Sequence, residues 1–309
     1  MRCTVAIALG VLGTLGCGPD PVAVPEWISS LDDAVHLSEL IIPGTHDSGA
    51  LLEPLPGLAA TQTLTIEEQL DAGVRFLDLR ARIVDDELWL YHGAIDQDQA
   101  FTDVFATMYA FLDAHPDEVL VASLKEETAP ANATKTFDAI FSEYVAASPE
   151  HWELGTVVPR VGDARGRIVL LRRFPTTMAP LGIDASPWED DTTFAINNDA
   201  WIRVQDEYTV ESNDAKWSAI EELHFRSEPG ILSINFTSGY HTNEMGLPNI
   251  LAVSDDINAR LDAKFATAES LRPLILVMDH VTRDRVRAVI LANRFEALSR
   301  STMVFRSRS

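Results

Sequence analysis

The stretch Gln69-Leu70-Asp71-Ala72-Gly73-Val74-Arg75-Phe76-Leu77-Asp78-Leu79-Arg80 joins the end of a helical-period segment, Thr65 to Ala72, to a short apolar run that finishes on a charge. The same unit recurs along the chain. Leu40-Ile41-Ile42, Leu88-Trp89-Leu90-Tyr91, Val119-Leu120-Val121-Ala122, Ile168-Val169-Leu170-Leu171, Ile202-Arg203-Val204, Ile231-Leu232-Ser233-Ile234 and Leu274-Ile275-Leu276-Val277 also read as strands. Helical patterns span Phe101 to Ala114 and Thr134 to Val145, and Thr282 is placed to cap a last Arg-rich helix running to about Leu298. About eight strands separated by helices or loops in one chain of this size predict an α/β fold, a (β/α) barrel or an irregular relative of one, in a single domain.

The strand-like runs end in ionisable residues: His46 with Asp47 after the first, then Arg80, His92, Lys125, Arg173, Asp206 and Asp279. In a parallel barrel those ends converge on one mouth. Two imidazoles, several carboxylates and several cations gathered there suit general acid–base work on an anion. Taken singly, each has a plainer reading. Asp78 could pair with Arg80 or Arg82 as a structural bridge, His92 could be a core histidine, and Lys125 a solvated charge; the collective pattern outweighs these. No His-x-x-x-His or His-Glu-x-x-His spacing occurs, and a guanidinium at Arg80 in the middle of the site would repel a divalent ion. The expectation is therefore no metal and no cofactor.

The 309 residues are 46% hydrophobic and 23% charged, as in ordinary globular proteins, but 24 Lys+Arg against 47 Asp+Glu leave a net charge of −23. Such a surface argues against nucleic acid as a partner and weakens attraction to anionic bilayers. Arg2, the short apolar run Val5 to Leu12 and the small residues before Cys17 predict a signal peptide over 1–17 and export. Leu15-Gly16-Cys17 resembles a bacterial lipoprotein junction, although Thr14 stands where Leu is usual, so the mature protein is expected to be secreted or lipid-anchored through Cys17. Residues 18–30, with Pro19, Pro21 and Pro25, read as a linker into one domain over 31–309. Cys3 and Cys17 are the chain's two cysteines, which leaves no intrachain disulfide once the signal is removed. A monomer is expected.

Three motifs taken together, Ile42-Pro43-Gly44-Thr45-His46-Asp47-Ser48, the Gln69–Arg80 stretch and Tyr91-His92-Gly93, resemble the X-region of phosphatidylinositol-specific phospholipases C, the bacterial secreted branch most closely. Glu118 to Glu127, Gly162 to Phe174, Val204 to Tyr208 and Ile234 to Ser238 extend the likeness over nearly the whole mature chain. The resemblance implies a distorted, incomplete (β/α)8 TIM-type barrel. It also implies attack of the inositol 2-hydroxyl on phosphorus, with release of diacylglycerol and a cyclic inositol 1,2-phosphate that water opens slowly. By the same likeness His46 is the general base and Asp279 its orienting carboxylate. His92 is the general acid with Asp47 as partner, and Arg80 binds the phosphoryl oxygens with Asp78 positioning it. Lys125, Arg173 and Asp206 match inositol-binding positions and Tyr208 an aromatic against the ring.

The rim departs from that pattern. Ala50 to Leu58 offers leucines but no Trp or Lys, and Gly239 to Pro248 also lacks Trp, so adsorption to anionic bilayers is expected to be weak and membrane contact peripheral. Two other readings remain: a phosphodiesterase on soluble glycerophosphoinositol or cyclic inositol phosphate, and a non-catalytic inositol-lipid binding module.

Overall fold

The computed structural model describes residues 24–267 and 271–293; the signal-peptide reading, most of the linker and the end of the last expected helix lie outside them. The strands are β1 (Ile41–Thr45), β2 (Phe76–Val84), β3 (Glu87–His92), β4 (Ile95–Ala100), β5 (Val119–Glu126), β6 (Trp152–Glu153) and β7 (Arg167–Arg173). They continue with β8 (Ile183–Asp184), β9 (Thr193–Asn197), β10 (Trp201–Gln205), β11 (Leu232–Phe236), β12 (His241–Thr242), β13 (Pro248–Asn249) and β14 (Leu274–Met278). The helices are α1 (Ile66–Ala72), α2 (Phe101–Ala114), α3 (Phe137–Ala147), α4 (Val161–Ala164), α5 (Asn213–Arg226), α6 (Leu251–Ala266) and α7 (Arg283–Leu291).

The main sheet runs β6-β7-β5-β2-β1-β14-β11-β10 with every neighbouring pair parallel, and β9 closes one end antiparallel to β10. β1, β11 and β14 are buried along their whole length, as strands covered on both faces must be. Among the described residues no ladder joins β9 to the other end, so the barrel is incomplete, as expected. At that other end two fragments share the edge of β7. Trp152 and Glu153 pair with Ile168 and Val169, while Ile183 and Asp184 pair with Leu171 and Arg172. Fragments of two residues leave no apolar run to read, which is why sequence patterning passes over them.

One expected strand takes a different place. Leu88 to Tyr91 lies in β3, which is not a barrel stave but the antiparallel return of a hairpin from β2. Asp85 and Asp86 at its tip both have positive φ (52° and 63°), the conformation of a two-residue hairpin turn that follows strand twist. Apolar alternation reports a strand but not its direction.

Local chemistry fixes the strand that carries the first motif. A Cβ on Gly44 would lie 2.9 Å from the Phe76 ring, so only glycine lets β1 and β2 approach this closely. At the foot of the same strand, the Asn293 amide accepts from the Ile41 N–H and donates to its carbonyl, tying the end of α7 to β1. Thr282 caps α7 as expected, and the helix stops at Leu291. No helix among the described residues is long and apolar enough to cross a membrane.

Candidate active site

The C-terminal ends of β1, β2, β5, β7, β10 and β14 open on a pocket of about 390 Å³ lined by His46, Arg80, His92, Lys125, Arg173, Asp206, Tyr208 and Asp279. Eight of the ten expected site residues thus line one pocket. His92 reaches it by the hairpin: Leu90 sits opposite Ala81, and two residues further on β3 has returned to the level of the mouth.

His46 follows β1, its N–H bonded to the Met278 carbonyl, and its Nδ1 lies 2.8 Å from Asp279 Oδ1 just beyond β14. Parallel pairing of β1 with β14 brings these two strand ends together. Burial disfavours the charged ring and Arg80 opposes it too, but the Asp279 carboxylate outweighs both, so His46 titrates above its ordinary value. The His46 and His92 ring centres are 6.5 Å apart at an interplanar angle of 77°, leaving room between them for one tetrahedral group. A rate that requires neutral His46 has its acid limb above an imidazole's ordinary pKa. In Asp279→Asn burial and Arg80 would act on the ring against only the smaller pull of Asp78, so the limb moves to lower pH while kcat falls roughly 10²–10⁴-fold. A kcat/KM profile over pH 5–9 measures both.

Arg80 lines the same pocket among three buried carboxylates. Its Nε is 3.0 Å from Asp78 and 3.9 Å from Asp47, and its Nη1 is 3.6 Å from Glu127. Asp78, expected to position Arg80, does not line the pocket. It is fully buried behind Arg80, where it also accepts from the Asp47 N–H, Ser123 Oγ and Arg173 Nη1. Burial alone would raise its pKa, but Arg80 and Arg173 hold it well below the usual carboxylate range.

Asp47 lies beside His92 as a charge rather than as its hydrogen-bond partner. The hydrogen-bond partner of His92 Nδ1 is the Ala59 carbonyl at 2.7 Å, with the Asp47 carboxylate at 3.4 Å. Among the described residues neither Asp47 side-chain oxygen has a hydrogen-bond partner, and burial raises its pKa against the pull of Arg80 and His92. Asp47 therefore acts on His92 through charge, and Ala59 fixes the ring. Ala59 is delivered by the loop after β1, where Thr61 Oγ1 donates to the Asp47 carbonyl and Gln62 Nε2 donates to the carbonyls of His46 and Met278.

The rest of the pocket is lined by paired cations, carboxylates and aromatic rings. Lys125 Nζ is 2.7 Å from Glu127, and Glu127 also accepts from the Gly93 N–H, joining the β5 end to the residue after His92. The Arg173 guanidinium lies 3.8 Å above the Trp188 ring, whose Nε1 donates to Asp206 at 3.0 Å. The Tyr208 hydroxyl donates to Asp190 at 2.7 Å; burial and that carboxylate push its pKa up, so it stays protonated. Glu127 and Trp188 were not singled out from sequence. Glu127 shares a strand face with Lys125, a period-two signal that was available. Trp188 comes from a loop with no periodicity to mark it.

Residues 50–174 match the family described as phosphatidylinositol-specific phospholipase C, X domain. A 1-phosphatidylinositol phosphodiesterase of Staphylococcus aureus is 35% identical over 216 residues, covering 64% of this chain and 69% of that protein. A Listeria monocytogenes protein of the same name is 28% identical over 290 residues, covering 89% and 86%. A solved double mutant of the S. aureus phosphatidylinositol-specific phospholipase C superposes with a TM-score of 0.80 at 28% identity, covering 89% of this chain and 98% of that one. With this extent of shared sequence and this superposition, the chain belongs to the phosphatidylinositol-specific phospholipase C X-domain family.

Proposed function

We propose that the protein cleaves phosphatidylinositol to diacylglycerol and inositol 1,2-cyclic phosphate, with slow opening of the ring to inositol 1-phosphate. The observation that carries this is the pair of histidines 6.5 Å apart in one pocket with Arg80, one backed by Asp279 and the other held by Ala59. His46 removes the 2-hydroxyl proton as that oxygen attacks phosphorus. His92 protonates the departing glycerol oxygen, and the two exchange roles when water opens the ring. The nucleophile belongs to the substrate, which supplies the proximity gain without an enzyme nucleophile. Arg80, already neutralised by Asp47, Asp78 and Glu127, gives the charge stabilisation a metal would otherwise supply.

Phosphorus NMR with phosphatidylinositol in neutral detergent and EDTA tests the reading. It is expected to show the cyclic phosphate first and inositol 1-phosphate later. Activity abolished by EDTA and restored by calcium would overturn the role of Arg80.

The rim favours a lipid surface over a soluble diester. Leu52, Leu55, Met245 and Leu251 are exposed on segments joined by the Ile250 N–H to Gly57 carbonyl bond, with Ile250 itself in the pocket wall. Replacing Leu55 or Met245 singly by Glu is expected to lower turnover on neutral-lipid vesicles containing phosphatidylinositol by about tenfold or more, since one buried apolar side chain is worth about 1.5–3 kcal/mol. Cleavage of glycerophosphoinositol should be unchanged. Equal loss on both substrates would sink the membrane role of these residues.

A further inference from the structure

Behind the headgroup wall, on α5, lies a buried lysine that the proposed mechanism does not use. Lys216 is 3% exposed, and its ammonium donates to Gln205 Oε1 at 2.9 Å and to the Glu207 carbonyl at 2.6 Å. Among the described residues no carboxylate accepts from it directly. Gln205 and Glu207 are the two neighbours of Asp206, so one ammonium grips the chain on both sides of a pocket residue. Gln205 is then fixed from three directions. Its Oε1 also accepts from the Glu207 N–H, and its Nε2 donates to Asn235 Oδ1 and to the Phe236 carbonyl at the end of β11. The Phe236 ring in turn meets the edges of His46 and Trp188, at 6.0 and 6.1 Å between ring centres. Trp188 is the donor to Asp206.

We infer that Lys216 is a positioning residue for headgroup recognition: it locks the β10 end so that Asp206 faces the inositol hydroxyls and Tyr208 stands beside them. It touches no substrate. The inference rests on the proposed reading of the pocket as an inositol site.

Two physical arguments support it. A buried ammonium with no ion-pair partner is costly, and a chain that needed only packing at this position would be served by Met or Leu. The charged groups that face Lys216 are Asp206, Glu207, Asp279 and Asp191, all anionic, so its charge also offsets the carboxylates of the two walls. Burial outweighs their pull and brings its pKa down to about 8. The lock is therefore charged at neutral pH and loses its third proton, with part of its hold on the carboxylate cluster, as pH rises through about 8.

The test is binding of myo-inositol, by calorimetry or by competitive inhibition of phosphatidylinositol cleavage, in native protein and in Lys216→Met and Lys216→Arg. Native affinity is expected to weaken as pH rises from 7 to 9. In Lys216→Met the inhibition constant and KM rise about tenfold at pH 7, kcat changes less than threefold, and the alkaline loss disappears. Lys216→Arg restores affinity and moves the loss out of this range. If Lys216→Met does not fold, the native alkaline loss and its absence in Lys216→Arg decide the matter. Unchanged inositol affinity in folded Lys216→Met, or the same alkaline loss in Lys216→Arg, overturns the inference while leaving the functional reading intact. Native protein that neither binds inositol nor cleaves the lipid overturns both.

Discussion

His92→Ala is expected to cleave phosphatidylinositol roughly 10²–10⁴-fold more slowly than the native protein and to recover most of that loss on an inositol phosphodiester that releases 4-nitrophenolate. Expelling a glycerol alkoxide at neutral pH needs a proton at the moment the bond to phosphorus breaks. A phenolate that is stable in water needs none. His46→Ala should stay slow on both substrates, because the attacking 2-hydroxyl is the same in each. The two variants therefore diverge on the activated substrate although they match on the natural one. The geometry gives each histidine its own support: His46 is bound to Asp279 at the β14 end, and His92 to Ala59 on the loop after β1. A His92→Ala protein equally slow on both substrates would remove His92 from the acid role. Because Asp47 sits 3.4 Å from His92 Nδ1 with Ala59 as the actual hydrogen-bond acceptor, Asp47→Asn should be milder than His92→Ala on the natural lipid.

How much of this was legible in the chain follows from what each signal can carry. Parallel strands buried on both faces leave short apolar runs, so the staves β1, β2, β5, β7, β10, β11 and β14 could be read directly. A polar residue that ends such a run is placed at the mouth by topology alone, which is why His46, Arg80, Lys125, Arg173 and Asp279 fell together. Direction was not legible. β3 alternates as a stave would, yet it turns back at Asp85 and Asp86 and delivers His92 from the opposite sense. Partners supplied by irregular backbone were not legible either. The Ala59 carbonyl carries no side-chain signature, and its position depends on how Thr61 and Gln62 clamp the loop to His46 and Asp47. Depth was the third blind spot. Asp78 and Arg80 lie two apart on one strand and share a face, but only packing shows that Asp78 is sealed beneath the guanidinium it holds.

That sealed arrangement makes Arg80 the residue whose loss should be felt in two separate measurements. Arg80→Ala removes the cation at the phosphoryl site and is expected to lower kcat by about 10²–10³-fold, the scale of one preorganised charge-stabilising donor. It also leaves Asp47, Asp78 and Glu127 facing each other with Arg173 and Lys125 as their remaining cations. Breaking a buried ion pair by deleting one partner costs about 3–5 kcal/mol, so chemical denaturation at pH 7 should show a loss of that order. The pH dependence carries the sign. In the native protein Asp78 and Glu127 titrate below their ordinary values, so their contribution is present above the unfolded pKa and is lost as pH falls through the folded one. In Arg80→Ala burial and mutual repulsion push these carboxylates up instead, and a raised carboxylate destabilises at neutral pH and is relieved by protonation. The stability gap between variant and native should therefore narrow from pH 7 to pH 5. Arg80→Lys separates the two effects: its ammonium keeps the carboxylates neutralised but lacks the planar fork that reaches Asp78 and the phosphoryl oxygens together. That variant is expected to keep most of the stability and still lose about tenfold or more in kcat. A gap that widens toward pH 5, or full activity in Arg80→Lys, would show that the guanidinium does not hold the site as its contacts indicate.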